Sequence, residues 1–164
     1  MDWIVVAMDK EAEKIDNKNI IVTGIGVENV IKKMSDEISS GRLKKNDRII
    51  NVGYCGAKGF DVGDVISITK SRRHKQPKAI KESSFELKPL TEKTATCYTF
   101  DDFEENAECD GVMDMELFYL ASFFPNIQSI KVVSDNGDYK EYEKNLKKIN
   151  SWNVVNSILK KEVI

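Results

Sequence analysis

The stretch RIINVGYCGAKGFDVGDVISIT, residues 48–69, predicts two strands of a buried sheet joined by a glycine-rich connection. Its first apolar run lies between Arg48 and the glycines, as in a fully buried strand, and a second run follows the turn at Gly63 and Asp64. The small residues of GYCGAKG leave room for a ligand to approach backbone N–H groups. The stretch therefore predicts a buried sheet with a candidate ligand-binding turn at one strand end.

Further strands and helices are predicted on both sides of this stretch. Apolar runs predict strands at residues 3–7, 19–26, 94–100 and 129–138. Apolar residues at helical spacing predict helices at 27–41, 111–124 and 139–163, with Gly41 as the C-cap of the first and Pro125 ending the second. The polar segments 70–84 and 101–110 predict loops. Strands that alternate with helices indicate one α/β domain, residues 1–164, with a largely parallel or mixed sheet.

The composition excludes several classes of protein. The chain has 164 residues, of which 41% are hydrophobic, and a net charge of −2. This apolar share is enough for one core, and no global basic field attracts nucleic acid or an anionic membrane. The N-terminus does not read as a signal sequence, and no apolar run is long enough to span a bilayer. Cys55, Cys97 and Cys109 lack metal-type spacing, which predicts free thiols in a reducing cytosol.

Acidic side chains follow the predicted strands. Glu11 comes after the first strand and Asp135 lies at the end of the last, while Asp114 and Glu116 lie in the segment 111–124. Because ligands bind beyond the carboxyl ends of strands in open α/β sheets, these acids suggest either a divalent metal or acid–base chemistry on a polyol-like substrate. The simpler interpretation of Glu11 and Asp135 is that each is a solvated turn residue.

The segment GVMDMELFYLASFF, residues 111–124, carries two of these carboxylates in its apolar opening. Positions two apart on a helix point in different directions. Asp114 is therefore interpreted as an N-terminal cap, and Glu116 as a side chain that faces a cavity.

Five segments occur in the order found in the purine and uridine phosphorylase superfamily. The chain resembles its nucleosidase branch, that of the methylthioadenosine/S-adenosylhomocysteine nucleosidases, over residues 3–138. The resemblance implies a single-domain, three-layer α/β/α sandwich with a mixed, partly barrel-like central sheet, in a shortened, minimal version. It also implies a homodimer or higher homo-oligomer without metal or cofactor. The five segments are AMDKE, TGIGVENV, IINVGYCGAKGFDVGDVISIT, GVMDME and VVSDNGD.

The resemblance assigns roles to individual residues. It implies that Glu11 activates the attacking water, that Asp135 protonates N7 of a purine, and that Glu116 binds the ribose hydroxyls. The remaining substrate-binding residues that it implies are Met115 under the sugar, Ser134 orienting the acid, Gly53, Tyr54, Cys55 and Gly56 around sugar and base, and Phe103, or alternatively Phe100, stacking on the base.

These roles imply an N-ribosyl hydrolase that cleaves a purine nucleoside or thionucleoside to free base and sugar. Two alternatives stay open: a phosphate-dependent purine nucleoside phosphorylase, and a non-catalytic nucleoside or nucleotide sensor. Asn51 stands where phosphorylases of the superfamily have a phosphate-binding arginine, and Glu11 would repel phosphate. Retention of the three carboxylates argues against a sensor.

The basic run KSRRHKQPK, residues 70–78, suggests nucleic-acid binding. It lacks interleaved aromatic residues and the rest of the chain is acidic, which argues against that interpretation. Arg72 and Arg73 are therefore interpreted as flexible surface cations, and His74 as a solvated loop histidine.

Overall fold

The computed structural model describes residues 1–76, 83–105 and 107–162. The strands are β1 (Asp2–Val6), β2 (Ile20–Val22), β3 (Arg48–Ala57), β4 (Val65–Arg73), β5 (Ser84–Glu86), β6 (Thr94–Thr99), β7 (Val112–Asp114) and β8 (Ile127–Asp135). The helices are α1 (Asp9–Ala12), α2 (Val27–Ser39), α3 (Leu117–Phe123), α4 (Tyr139–Leu146) and α5 (Trp152–Glu162). No helix within these ranges is both long enough and apolar enough to cross a membrane.

The strands form one mixed sheet that closes on itself. At one side β2, β1 and β3 run parallel, with Ile4 opposite both Ile20 and Ile50. The strands β3, β7, β6, β4 and β8 then pair in turn, and β8 pairs again with β3, which closes a five-stranded barrel. Because β1, β3 and β8 are parallel, their carboxyl ends lie at one rim. The mixed, partly barrel-like sheet is confirmed.

Helices cover the sheet on both faces. Val5 and Ile49 belong to one buried cluster, whereas their neighbours Ile4 and Ile50 belong to another. Successive strand residues point to opposite faces, so the two clusters lie on the two sides of the sheet. This is the three-layer arrangement that the resemblance implies. The first cluster takes Val30, Met34, Leu117 and Leu120 from α2 and α3, and the second takes Trp152, Val155 and Leu159 from α5.

The predicted helix 111–124 is wrong at its start. Residues 112–114 form β7, which pairs with β3 and β6, and α3 begins only at Leu117. Gly111 immediately precedes this strand and packs closely against β6. A Cβ added to it would lie 2.2 Å from the carbonyl oxygen of Thr96. Residues 112–114 are therefore a strand of the barrel and not the first turn of a helix.

Two other predicted elements also differ. The single helix 139–163 is two helices, because the chain leaves α4 at Leu146 and turns where the Ser151 hydroxyl donates to the Gly63 carbonyl at 2.5 Å. The predicted loop 70–84 begins as strand, since β4 continues to Arg73 and pairs with β5 and β6. Residues 77–82 of that segment lie outside the described ranges. The glycine-rich turn is likewise strand as far as Ala57.

The helix predicted at 27–41 is confirmed as α2. It buries Val30 and Met34. Gly41 follows its end with a φ of +76° and donates its N–H to the Ile38 carbonyl, a conformation that glycine adopts without steric cost.

Candidate active site

A cavity of about 440 Å³ lies beside β7 at the rim where β1, β3 and β8 end. This volume is typical of small-molecule sites. Most of its lining is apolar or aromatic, and the polar part is dominated by carboxyl groups, among them those of Glu11, Asp114, Glu116 and Asp135. Within the described ranges its lining contains no lysine, arginine or histidine. The cavity is therefore suited to a flat or apolar ligand that also offers hydroxyl or N–H donors.

Glu11 is held under the cavity by backbone donors. Its Oε2 accepts the N–H groups of Ala7 and Met8 at 3.0 and 2.9 Å, and its Oε1 accepts that of Tyr54 at 2.9 Å. The first two bonds close the N-terminus of α1 and the third ties α1 to β3. A Cβ at Gly53 would lie 3.1 Å from Oε1, so this glycine leaves the space that the carboxyl occupies.

The environment of Glu11 favours proton uptake. The side chain is 1% exposed, and this burial raises the pKa of Glu11 although the three N–H donors and the ammonium of Lys131 oppose it. A carboxylate has about four acceptor positions, and three are used here. The remaining one is available to a water molecule or a ligand hydroxyl.

Asp135 ends β8 at a bulge. The pairing of β3 with β8 shifts register between Cys55 and Gly56, which brings Gly56 opposite Asp135. A Cβ at Gly56 would lie 3.0 Å from Oδ1 of Asp135, so any larger residue would push this carboxyl from its position. The two glycines of the GYCG segment thus make room for the two carboxyls of Glu11 and Asp135.

Two hydrogen bonds fix the orientation of the Asp135 carboxyl. Its Oδ1 accepts the N–H of Gly137 at 2.8 Å, and its Oδ2 lies 2.7 Å from the Ser134 hydroxyl. Burial raises the pKa of Asp135, while these two bonds act in the opposite direction. A buried carboxyl with a raised pKa at the edge of a cavity is suited to donate a proton to a bound ligand.

Glu116 lies at the N-cap of α3 with an 8% exposed side chain. Its Oε1 accepts the N–H of Gly26, which has a φ of +86° in the TGIG turn before α2. Burial, and next the charge of Asp114, raise the pKa of Glu116 to about 7. The predicted cap role of Asp114 agrees with its Oδ2, which accepts the N–H of Leu117 at 2.9 Å.

The other sequence-predicted residues lie in different positions around the cavity. Met115, Tyr54 and Cys55 line it, but the Tyr54 hydroxyl accepts the indole N–H of Trp152 in the core behind. Phe103 is 44% exposed at the mouth.

Phe103 and Phe100, the two candidates for stacking on a base, differ in accessibility. Phe103 meets the ring of Tyr139 edge to face, with centroids 5.8 Å apart. Phe100 is 4% exposed and stacks on His74 at 3.8 Å. Of the two rings, only that of Phe103 is therefore accessible to a bound base.

Two aromatic side chains of α4 were missed by the sequence reasoning. Tyr139 and Tyr142 both line the cavity and stack on each other with centroids 6.0 Å apart. The Tyr142 hydroxyl donates to Sδ of Met8 at 3.6 Å, and Lys10 lies over the Tyr142 ring. The sequence did carry a signal for them: Tyr139 directly follows SDNGD, and Tyr142 is three residues later, on the same side of a helix. Together with Met8 they form the wall of the cavity beside α1.

The side chain of Asn51 belongs to the sheet. Its Nδ2 donates to the Val5 carbonyl at 3.2 Å, and its Oδ1 accepts the Ser129 hydroxyl at 3.0 Å. It is absent from the lining of the cavity. The position that the resemblance aligns with a phosphate-binding arginine therefore holds a buried cross-strand contact.

Part of the basic run is neutralised by the acidic segment 101–105. Arg73 donates to Asp101 Oδ2 at 2.6 Å, and the Tyr119 hydroxyl donates to the other oxygen of Asp101. Lys75 pairs with Glu104 at 2.6 Å. Arg73 lies in β4, and the partly buried His74 stacks on Phe100, so neither is the flexible or solvated residue that the sequence predicts. These contacts hold the cavity-lining segment 100–105 against the end of β4.

Arg73→Met is expected to loosen that segment. Loss of a partly exposed charged pair costs about 0.5–1 kcal/mol, which corresponds to a roughly 2- to 5-fold faster hydrogen exchange of the amides in 100–105. Mass-spectrometric hydrogen exchange measures this. The matched control is Lys70→Met, which removes the exposed Lys70–Glu86 pair from the same strand. Equal exchange in both variants would show that the Arg73–Asp101 pair does not hold the segment.

No group of three or more histidine, cysteine, aspartate or glutamate side chains in the described part of the chain is placed to hold a metal ion. The carboxyls of Glu11, Asp114, Glu116 and Asp135, which line the cavity, are instead engaged by N–H, hydroxyl and ammonium donors of the protein. Cys55, Cys97 and Cys109 are free thiols.

No protein-family model and no curated protein matches the chain by sequence. Its fold is similar to that of 5′-methylthioadenosine/S-adenosylhomocysteine nucleosidase from Neisseria meningitidis in complex with methylthio-immucillin-A, at a TM-score of 0.75 and 20% identity, over 98% of each chain. A putative nucleosidase of the same kind from Borrelia burgdorferi, bound to adenine, gives 0.76 and 19% over 98% of this chain and 99% of that chain. Native futalosine hydrolase of Helicobacter pylori gives 0.79 and 17% over 98% and 97%.

These similarities extend over nearly the whole of each chain. At such low identities the likeness is one of fold, and it agrees with the superfamily that the five sequence segments indicate. The chain therefore shares the fold of methylthioadenosine/S-adenosylhomocysteine nucleosidases and of futalosine hydrolase.

Proposed function

We propose that the chain is an N-ribosyl hydrolase that cleaves the glycosidic bond of a purine nucleoside or thionucleoside, of the methylthioadenosine/S-adenosylhomocysteine type, to free base and sugar. One observation carries this proposal: the carboxyls of Glu11, Glu116 and Asp135 meet at one cavity, each in a different hydrogen-bonding environment, and the described residues of its lining include no cation. The names of the similar structures, which include nucleosidases and a hydrolase, support the same reaction class.

The departing base is assigned to the Asp135 side of the cavity. Asp135 donates its proton to N7 of the purine, with Phe103 against the ring. The C1′–N9 bond then breaks and its electron pair stays on the base, which is neutral because N7 is protonated. Ser134 holds the carboxyl of Asp135 in place at 2.7 Å. A positioned acid of this kind typically contributes about 10²–10⁴-fold to the rate.

The sugar is assigned to Glu116 and Met115. The Glu116 carboxylate accepts the two vicinal ribose hydroxyls, and charge-assisted bonds of this kind are roughly twice as strong as neutral ones. The thioether of Met115 provides an adaptable apolar surface beneath the ring. As the C1′–N9 bond breaks, positive charge develops on the sugar, and the nearby carboxylates stabilise it.

The nucleophile is assigned to a water molecule at Glu11. The oxygen of this water bonds to C1′ and one of its protons passes to the carboxylate of Glu11. The raised pKa of Glu11 makes it a better proton acceptor than an exposed glutamate. The three backbone donors fix the carboxylate but leave one acceptor position for the water.

The phosphorylase alternative finds no supporting feature in the cavity. Phosphate carries at least one negative charge at neutral pH and needs cationic or N–H donors. The described lining offers carboxyls and no cation, and Asn51 is bound within the sheet. The sensor alternative is disfavoured because ligand binding alone would have little need for the Glu11 carboxylate in the cavity. Water as the nucleophile accounts for both observations.

Base release from a panel of nucleosides in phosphate-free buffer tests the proposed function. The panel contains methylthioadenosine, S-adenosylhomocysteine, adenosine, inosine and guanosine, with chromatographic detection of the free base. We expect release from at least one purine nucleoside, and a loss of about 10²–10⁴-fold in Glu11→Gln, since the water then lacks its proton acceptor. Glu13→Gln, which changes an exposed carboxyl at the end of α1, is the matched control. Equal rates in both variants would contradict the role of Glu11.

We further propose that residues 1–164 act as one nucleosidase-like domain, in the cytoplasm and as a homodimer or higher homo-oligomer. The free thiols favour a reducing compartment. Ile25 is exposed at the edge of the cavity, where a second copy would cover it. Light scattering coupled to size-exclusion chromatography measures the assembly, and a mass near 18.6 kDa would contradict the oligomer.

A further inference from the structure

Lys131 is a buried cation in the middle of β8 that the proposed reaction does not use. The residue is 1% exposed, and all residues of β8 are buried. Lysine is almost never buried to this extent unless it is paired. Its Nζ donates to Oδ2 of Asp114 at 2.8 Å, and Nζ lies 3.8 Å from the position a Cβ would take at Gly53, beside Glu11.

The pair of Lys131 and Asp114 is bonded to the start of α3. Asp114 Oδ1 accepts the Thr99 hydroxyl at 2.6 Å, and Asp114 Oδ2 also accepts the N–H of Leu117. The same Thr99 oxygen accepts the N–H of Phe118 at 3.0 Å. The first turn of α3 is thus tied to β6, β7 and β8, and Glu116 is the residue at which that turn begins.

Lys131 is the cation that acts on all three neighbouring carboxyls. Burial is the largest single influence and opposes the charge of Lys131, yet the neighbouring acidic groups, Asp114 first, together raise the pKa of Lys131. Burial likewise opposes the charge of Asp114, but Lys131, together with the hydrogen bonds from Thr99 and Leu117, lowers the pKa of Asp114. Lys131 also opposes the raised pKa of Glu116 and Glu11. The titratable groups around this cluster are Glu11 on α1, Asp114 on β7, Cys97 on β6, Cys55 on β3, and Asp135 at the end of β8.

We infer that Lys131 is a positioning residue of the active site: through Asp114 it fixes the start of α3, and its charge offsets that of Asp114, so that Glu116 is able to ionise and bind sugar hydroxyls near neutral pH. The sugar-binding part of this inference rests on the proposed function. The electrostatic part concerns Glu116 alone and is testable without any substrate.

The test is a carbon-13 NMR titration of the side-chain carboxyls in the ligand-free protein, with the Glu116 signal assigned by its loss in Glu116→Gln. Lys131→Met is expected to raise the ionisation midpoint of Glu116 by about one pH unit or more, since it leaves the charge of Asp114 unopposed. Asp114→Asn, which keeps an acceptor for Leu117, is expected to lower it by a similar amount. In the double variant the two changes cancel, and Lys131→Arg retains the midpoint of the unaltered protein.

A purely structural role of Lys131 gives a different result. Lys131→Met would then be less stable, but the Glu116 midpoint would not move, and this outcome overturns the inference. If Lys131→Met does not fold, Asp114→Asn provides the test. An unchanged Glu116 midpoint in that variant also overturns the inference. Because the titration uses no substrate, its result is independent of whether the protein releases purine. The pH dependence of base release provides a second measurement. In each variant, the midpoint of the fall in kcat/KM at acidic pH is expected to shift in the same direction as the Glu116 midpoint.

Discussion

Asp135→Asn is expected to lower the rate of purine release by about 10²–10⁴-fold, the contribution of a well-placed general acid. The amide of asparagine keeps an oxygen acceptor for the N–H of Gly137 but has no acidic proton for N7 of the base. KM is expected to change little, because the lost interaction belongs to the transition state and not to the bound substrate. Steady-state assay of base release with the preferred purine nucleoside measures both quantities.

A substrate that needs no protonation provides the control for Asp135. p-Nitrophenyl β-D-riboside has a leaving group that departs as a stable anion. We expect Asp135→Asn to retain most of the rate on this riboside if the sugar half of the site is intact. Equal losses on both substrates would show that the variant damages the site as a whole and would contradict the role of Asp135 as the acid.

Glu116→Gln is expected to reduce kcat/KM by about 10²-fold or more, since the two hydroxyl contacts lose their charged acceptor. The unaltered protein is expected to lose activity as the pH falls through about 7, where Glu116 takes up a proton. The variant has no carboxyl at residue 116 to take up a proton, so its residual activity should not fall in this pH range. A pH profile of kcat/KM for both proteins measures the difference.

The same substitution is expected to stabilise the ligand-free protein at alkaline pH. Glu116 has a pKa of about 7 in the folded protein and an ordinary value of 4.5, so its contribution to stability is fully present below about pH 4.5 and is lost as the pH rises through 7. Glutamine avoids this loss, which is on the order of 3 kcal/mol at pH 8. Urea denaturation at pH 5 and pH 8 measures it, and a variant less stable than the unaltered protein at pH 8 would contradict the assigned burial cost.

The positions of Glu11 and Asp135 at one rim of the sheet follow from the sequence pattern. Each comes directly after or at the end of a short apolar run, and parallel strands place their carboxyl ends together. The sequence also shows the glycines of GYCG, but it does not show why glycine is needed there. The space beside Gly53 and Gly56 is taken by the carboxyls of Glu11 and Asp135 themselves, which are far away along the chain.

Features that depend on contacts between distant segments were beyond the sequence pattern. Lys131 reads as one polar residue in an apolar strand, and its partner Asp114 is 17 positions away. Residues 112–114 are too short a run to be distinguished from the helix that follows. The Arg73–Asp101 pair joins two segments that look like unrelated charged loops. In each case the deciding interaction is a tertiary one, which local propensity and periodicity do not contain.

The most direct test of the proposed hydrolysis is the identity of the sugar product when a purine nucleoside is cleaved with and without inorganic phosphate. We expect free base and free reducing sugar at the same rate in both buffers, because the cavity lining presents carboxyls to the nucleophile and no cation in the part of the chain that the structure describes. Release that requires phosphate and yields a sugar 1-phosphate would contradict the assignment of water as the nucleophile and of Glu11 as its base.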